Sequence, residues 1–132
     1  MAKTTSILAL LVVLAGCSSR LGEERNSPAF NNLREVNDLL HAAAGTASKV
    51  PAKLADLERG RKLAPHGYEA VKSGNVVVLW GAPLKGEEDV GKDEAVIAYE
   101  KNVPTEGGYV LLSAGTIKKM TAAEFQSALK AP

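Results

Sequence analysis

The side chains that could perform chemistry in this sequence are few, and their spacing matches no metal-binding motif. The two histidines, His41 and His66, have no HExxH pattern around them and no cysteine partner nearby. A zinc site needs three or four ligands. We therefore expect His41 on the surface of a helix and His66 in a Pro-His-Gly turn, and we predict no metal site.

Catalytic motifs are also absent from the sequence. No serine lies in a Gly-x-Ser-x-Gly turn, and neither a Walker A sequence nor GxGxxG occurs. An enzyme would need at least two of five dispersed side chains to converge in one cleft. These are His41, Asp56, His66, Tyr68 and Glu69. We predict a non-catalytic protein with no catalytic residue and no cofactor.

Two charged clusters are interpreted as solvated surface. Glu87-Glu88-Asp89 together with Asp93-Glu94 is the densest acidic cluster, but a calcium loop needs ligands at alternating positions around a central glycine. Gly91 does not stand in that register. The basic run Arg59-Gly60-Arg61-Lys62 is typical of a solvated bend.

Three aromatic residues are candidate contacts for a ligand or partner: Trp80, Tyr99 and Tyr109. Trp80 precedes Gly81-Ala82-Pro83 at the expected end of a strand, where it could line a pocket. The alternative is that the tryptophan fills the core and has its indole N–H satisfied locally.

The N-terminal segment combines Lys3, an apolar run from Ile7 to Leu14, and the tetrad Leu14-Ala15-Gly16-Cys17. A basic start, an apolar stretch and small residues before a cut are the parts of a secretory signal peptide. A membrane-spanning helix would need about 20 apolar residues. An ordinary signal with an incidental cysteine is disfavoured, because Cys17 is the only cysteine in the sequence.

The tetrad resembles the lipobox of bacterial lipoproteins. This resemblance implies removal of the signal peptide, residues 1–16, and acylation of Cys17, for example with palmitate. It also implies attachment to the lipid bilayer of the cell membrane or outer membrane. The domain would then face the periplasm or the cell exterior.

Cleavage at Cys17 would leave 116 of the 132 residues, with 15 basic and 15 acidic side chains. That length suits one modest domain. A neutral chain lacks the basic footprint of nucleic-acid binding, and a single acylated cysteine forms no disulfide. We expect residues 17–27 to be the lipidated cysteine and a flexible tether, and residues 28–132 to form one domain.

The domain is predicted to open with an amphipathic helix over residues 28–44. Ser27-Pro28 is typical of a helix start, and Gly45 of a helix end. The apolar stripe that faces the domain consists of Phe30, Leu33, Val36, Leu40 and Ala44.

Three shorter helices are expected. One follows Pro51, and one runs from Pro65 to Gly74. The last begins at the capping box of Thr121 and Glu124. Their expected inward side chains are Leu54, Leu57, Tyr68, Val71, Phe125 and Leu129.

Four strands are predicted, at residues 76–80, 95–99, 109–112 and 116–119. The first, Val76 to Trp80, is apolar on both faces and is therefore expected to be central in its sheet. Ser113-Ala114-Gly115 is typical of a tight hairpin turn, and residues 104–108 of a turn-rich connection. Helices followed by an antiparallel meander and a last helix predict an α+β fold.

A loose series of motifs runs through this domain: Asn32-Leu33, Leu39-Leu40-His41, Val50 to Leu57, Gly74 before the Val/Trp strand, Ala98-Tyr99-Glu100, Gly107 to Leu112, Gly115-Thr116-Ile117 and Met120 to Phe125. Together they resemble the globular heads of prepilin-type, pseudopilin-like proteins. This resemblance implies an N-terminal helix packed on an antiparallel sheet. A prepilin keeps a long apolar helix for its filament, whereas here a lipobox replaces it, and Ala114-Gly115 stands where the family commonly has Asp-Gly.

The expected function is that of an envelope lipoprotein that acts by protein–protein contact or as a structural element. Its partners would be the lipid bilayer, through Cys17, and an unknown envelope protein. The alternative is a module that binds a small ligand or the cell wall at the strand end Trp80–Pro83.

Overall fold

The computed structural model describes residues 25–47 and 49–132. The helical elements are α1 (Pro28–Ala47), the 3-10 helix η1 (Leu54–Gly60), α2 (Pro65–Lys72), the 3-10 helix η2 (Glu87–Asp89), α3 (Val103–Glu106) and α4 (Ala122–Ser127). The strands are β1 (Val76–Val78), β2 (Val96–Glu100), β3 (Gly108–Leu112) and β4 (Ile117–Met120). The four strands form one antiparallel sheet in the order β1-β2-β3-β4, which confirms the α+β prediction.

Helix α1 begins where the sequence predicts. The Ser27 hydroxyl oxygen accepts a hydrogen bond from the Phe30 N–H at 3.2 Å, which satisfies one of the free donors of the first turn. The helix continues past the predicted end at residue 44, so the prediction of Gly45 as a stop was wrong. One exposed glycine costs a helix only about 1 kcal/mol, and the helix can continue through it.

The sheet separates two apolar clusters. On one face, α1, η1 and α2 pack on side chains that include Val76, Val78 and Leu111. On the other face, α3 and α4 close a smaller cluster around Val110 and Phe125.

A β-bulge in β2 allows this strand to serve both clusters. Val96 is paired with Leu112 and Ala98 with Leu111, so Ile97 is the extra residue. Val96 belongs to the smaller cluster, whereas Ile97 and Ala98 belong to the larger one.

Strand β1 differs from its prediction in length and in position. It ends at Val78, and it lies at an edge of the sheet instead of the centre. The chain turns immediately afterwards, with the Gly81 N–H donating to the Pro51 carbonyl at 3.0 Å. The prediction of a central strand was wrong because apolar residues on both faces of a strand indicate covered faces, and do not indicate two neighbouring strands.

The end of the chain follows one prediction and departs from another. The capping box of α4 is present, with the Glu124 N–H donating to Thr121 Oγ1 at 3.1 Å and the Thr121 N–H to Glu124 Oε1 at 3.2 Å. Leu129 was expected in the core but is 61% exposed, because α4 ends at Ser127 and the chain then runs extended beside β2. The Val96 N–H donates to the Leu129 carbonyl. Residues 103–106 form a helical turn, α3, which overlaps the turn-rich connection predicted at residues 104–108.

Candidate functional site

A groove lies between α1 and η1, and we call it the α1–η1 groove. Its volume is about 590 Å³, and its walls are mainly apolar side chains that include Leu39, Ala43, Val50 and Leu57. The groove is therefore of a size and character typical of small-molecule sites, which are concave and mostly apolar.

Gly60 sets the width of the groove at its floor. A Cβ atom at this position would lie 2.7 Å from Leu39 Cδ2. Because glycine has no Cβ, the end of η1 can approach the buried Leu39 side chain closely. The small side chains of Ala42 and Ala43, on the next part of α1, also line the groove.

Leu63 stands at the rim of the groove and is 90% exposed. It belongs to the turn that joins η1 to α2, where its N–H donates to the Gly60 carbonyl at 3.0 Å. A single large apolar side chain on the surface is common, but one beside an apolar depression extends the apolar surface that a partner could cover.

Three charged side chains line the groove: Lys49, Asp56 and Arg59. Asp56 Oδ2 accepts a hydrogen bond from the Ala52 N–H at 2.9 Å. Within residues 25–47 and 49–132, no ion pair or hydrogen bond engages the Lys49 ammonium or the Arg59 guanidinium. The groove therefore has an apolar body with two uncommitted cations at its edge.

A hydrogen-bonded cluster ties η1 to α2 beside the groove. The Tyr68 hydroxyl donates to Glu58 Oε2 at 2.5 Å. Arg61 lies 3.3 Å from Glu58 Oε1 and 3.7 Å from Glu69 Oε1, and its guanidinium carbon is 5.1 Å from the centre of the Tyr68 ring. The cluster thus ties η1, which lines the groove, to α2.

The pKa values in this cluster follow from its contacts. The hydrogen bond from Tyr68, followed by that from Arg61, lowers the pKa of the Glu58 carboxyl. The same bond to Glu58, together with burial, raises the pKa of the Tyr68 hydroxyl. A carboxylate held ionised and a phenol held protonated are suited to fixing structure, because neither is poised to exchange a proton near neutral pH.

The residues that an enzyme would need are divided between separate places. Tyr68 is buried in the η1–α2 cluster and Glu69 lies at its exposed edge, whereas His41 is exposed on α1. Asp56 faces the groove, and the fifth candidate, His66, lies at the start of α2. In the described part of the chain, no group of three or more His, Cys, Asp or Glu side chains could hold a metal ion.

His66 belongs to a helix cap that the sequence did not reveal. Glu35 of α1 accepts the Gly67 N–H at 2.5 Å through Oε2, and its Oε1 lies 3.2 Å from His66 Nδ1. The residue before α2, Ala64, has no side chain that could cap the helix. A carboxylate from the neighbouring helix therefore performs that role.

The three aromatic contact candidates do not come together. Tyr109 is buried beneath α1 with its ring 5.9 Å from that of Phe30, and Trp80 packs half-buried against the same cluster. Tyr99 lies on the opposite face, 4.7 Å from the Phe125 ring. The cavity lined by Gly81 and Ala82, which follow Trp80, has a volume of about 10 Å³, too small to hold a ligand.

The acidic loop contains one residue with an unforeseen structural role. The Glu94 carboxylate accepts hydrogen bonds from the Ala114 N–H and the Thr116 hydroxyl, both at 3.2 Å, and from the Gly91 N–H at 3.0 Å. It thereby joins the loop to the β3–β4 turn. Glu87 and Glu88 are exposed, as predicted for a solvated loop.

Cys17, the predicted site of acylation, lies outside the described residues, as does most of the predicted tether. Among the residues that are described, no helix is long and apolar enough to cross a membrane. Comparisons with models of protein families, with curated proteins and with solved structures find no match.

Proposed function

We propose that the chain is a lipid-anchored envelope lipoprotein that acts without catalysis, by contact between its α+β domain and another envelope protein. The anchor is supported by Lys3, the apolar run and the tetrad Leu14-Ala15-Gly16-Cys17. The contact is supported by one observation above others: Leu63, an apolar side chain that is 90% exposed at the rim of an apolar groove.

The proposed contact surface is the Leu63 turn, which we define as residues 61–64. Exposed apolar side chains beside a concave apolar surface are characteristic of protein contact sites, and a few well-buried anchors dominate the binding energy of such sites. A partner that covered Leu63 would remove it from water, and the η1–α2 cluster would hold the turn in place.

The anchor limits where this contact can occur. A chain extends at most about 3.3–3.6 Å per residue, so the ten residues between Cys17 and Pro28 span roughly 35 Å at full stretch. The domain would act singly and close to the membrane that holds its lipid. Filament assembly is not proposed, because the apolar segment a prepilin uses for that purpose would be cleaved away.

The anchor is tested by metabolic labelling of cells with a fatty-acid analogue. We expect the chain to be labelled and to sediment with membranes, and both properties to be lost with Cys17→Ser. Labelling that survives this substitution would disprove acylation at Cys17.

The contact is tested by placing a photo-crosslinking residue at Leu63 in the membrane-bound protein. The matched control is the same residue at Val90, which is also exposed, at 53%, but stands on the loop before β2. We expect one discrete crosslinked envelope protein from position 63 and none from position 90. Equal patterns from both positions, or none from either, would contradict a specific contact at this turn.

A further inference from the structure

We propose that the α1–η1 groove binds a single-chain anionic amphiphile, a molecule with one apolar chain and one acidic head group. The inference goes beyond the protein contact proposed above, because it concerns a small ligand in the groove and not a protein at the Leu63 turn. It rests on the groove's volume, its apolar walls and the charges at its edge.

The body of the groove suits an apolar chain. Its volume of about 590 Å³ lies within the range of roughly 300–1,000 Å³ typical of small-molecule sites. Leu39 and Leu57 form buried parts of its walls, and Ala43 and Val50 are half-buried beside them. An acyl chain placed here would exchange water contact for contact with these side chains.

The charges at the edge select the head group. Of the three charged side chains that line the groove, Asp56 already accepts the Ala52 N–H. Lys49 and Arg59 have no partner in the described part of the chain. Nearby Arg61 is engaged with Glu58 and Glu69. Two cations against one carboxylate leave a net positive charge at the groove, which is complementary to a carboxylate or another acidic head.

The exposed Leu63 side chain supplies the remaining apolar contact. At 90% exposure it stands over the rim, where a chain lying along the groove would cover it. A neutral amphiphile would gain the same apolar contacts without the ionic ones. A cationic amphiphile would be repelled by Lys49 and Arg59.

The test is a site-resolved titration of the full-length chain carrying Cys17→Ser, which cannot be acylated at position 17. Alanine methyl groups are labelled with carbon-13, and sodium dodecanoate is added below the concentration at which it forms micelles. Three lining methyls report on the groove: Ala42, Ala43 and Ala55. Ala98, buried in β2, and Ala123, exposed on α4, are internal references.

We expect saturable shifts of the three lining methyls and none at the references. Dodecyltrimethylammonium, with the same chain and the opposite charge, should bind at least tenfold more weakly. The double variant Lys49→Gln/Arg59→Gln should weaken dodecanoate binding at least tenfold. Its matched control, Lys53→Gln/Lys62→Gln, removes the same charge outside the groove and should change affinity less than twofold.

A second variant tests the volume and not the charge. Ala55→Phe places a ring into the groove from the exposed side of η1 and should abolish the shifts of Ala42 and Ala43. Thermal unfolding of each variant shows whether the fold is kept. If either the charge variant or Ala55→Phe does not fold, the other one still tests the proposal.

Several outcomes would overturn the proposal. Equal affinity for the anionic and cationic amphiphiles would show that the cations play no part. Shifts confined to Ala123 or to alanines of the N-terminal segment would indicate nonspecific adsorption. If vesicles of anionic phospholipid or an acidic peptide moved the lining methyls and dodecanoate did not, the occupant would be a membrane surface or a peptide and not a single-chain amphiphile. A crosslinked partner at Leu63 without dodecanoate binding would leave the proposed function standing and remove this inference.

Discussion

The two faces of the sheet are covered in different ways. Within the described residues, sixteen buried side chains form the cluster beneath α1, η1 and α2, whereas six form the cluster beneath α3 and α4. The larger side is built from helices that approach one another through glycines and leave a groove between them. The smaller side is closed by two short helices, the second of them fixed by a capping box. The proposed binding surface therefore lies on the face where the helices leave a gap between them.

The largest expected effect compares one leucine from each cluster. Leu33 is fully buried on α1, and Leu112 is 6% exposed in the smaller cluster. Replacing either with alanine should lower the free energy of unfolding by about 2–5 kcal/mol, depending on how well the site collapses around the cavity. We expect Leu33→Ala to lie near the upper limit, since α1 and the sheet enclose it. Leu112→Ala should lie near the lower limit, because α4 is short and can move inward.

Urea unfolding of both variants measures this difference. Hydrogen exchange of the wild-type protein provides an independent check, since β4 and α4 should open with a smaller free energy than α1 and β2. Equal costs and uniform protection would mean that the two clusters behave as a single core.

The next effect concerns the contact between α1 and α2. A Cβ atom on Gly67 would lie 2.6 Å from Glu35 Cβ and 2.9 Å from the Val36 backbone nitrogen. Gly67→Ala should therefore separate the helices and cost about 1–3 kcal/mol of stability. Gly45→Ala is the matched control, because nothing lies within 4 Å of the position that its Cβ would take. Since it replaces an exposed glycine inside a helix, it should stabilise by about 0.5–1 kcal/mol.

The free energies of unfolding of these two variants should therefore have opposite signs relative to the wild-type protein. Destabilisation of similar size at both positions would contradict the close approach of the helices as its cause, because nothing contacts the methyl group added at position 45.

The elements that the sequence predicted well carry local signals. The apolar spacing of α1, the Ser27 cap and the capping box of Thr121 and Glu124 each depend on residues within one or two turns of each other. The fold class followed from the order of these elements. Leu129 was placed wrongly because the apolar spacing continues past Ser127, where the helix actually ends.

The features of the candidate site that sequence reasoning missed depend on distant residues. The α1–η1 groove requires Gly60 to meet Leu39, about twenty residues away. The Glu35 cap of α2 and the Glu94 bridge to the β3–β4 turn also join separate segments. Arg59 was interpreted within a solvated basic run, because its spacing in sequence could not reveal the groove beside it.

A smaller effect is expected at the N-cap of α4, the helix that covers the smaller cluster. Thr121→Ala removes the hydroxyl that accepts the Glu124 N–H and should cost about 1 kcal/mol, the usual value for an N-cap. Thr105→Ala is the control, because the Thr105 hydroxyl is exposed and donates to the Asn102 carbonyl. It should change stability by less than about 0.5 kcal/mol.

Chemical denaturation of the two threonine variants measures these values, and hydrogen exchange locates them. Faster exchange confined to α4 and β4 in Thr121→Ala would show that the smaller cluster unfolds separately from the larger one. Faster hydrogen exchange that extends to α1 would show that the two clusters unfold together.

The smallest effect is a pH dependence of stability that comes from the Glu58–Tyr68 hydrogen bond between η1 and α2. The pKa of Glu58 is lowered by the bond from Tyr68 and by Arg61, so its contribution to stability is present above the ordinary carboxyl value, about 4.3, and is lost as pH falls through the lowered pKa. The pKa of Tyr68 is raised by the same bond. Its contribution is present below the ordinary tyrosine value, about 10, and is lost as pH rises through the raised pKa.

Tyr68→Phe should therefore lower Tm relative to the wild-type protein by an amount that is constant between about pH 5 and pH 9 and shrinks on both sides. The effect is small because the Glu58 carboxylate is largely exposed to solvent. Tyr99→Phe is the control, since no hydrogen bond of the Tyr99 hydroxyl is found among the described residues. Its Tm difference should not vary with pH. If Tyr68→Phe also gave a constant difference, the bond would not link η1 to α2 energetically.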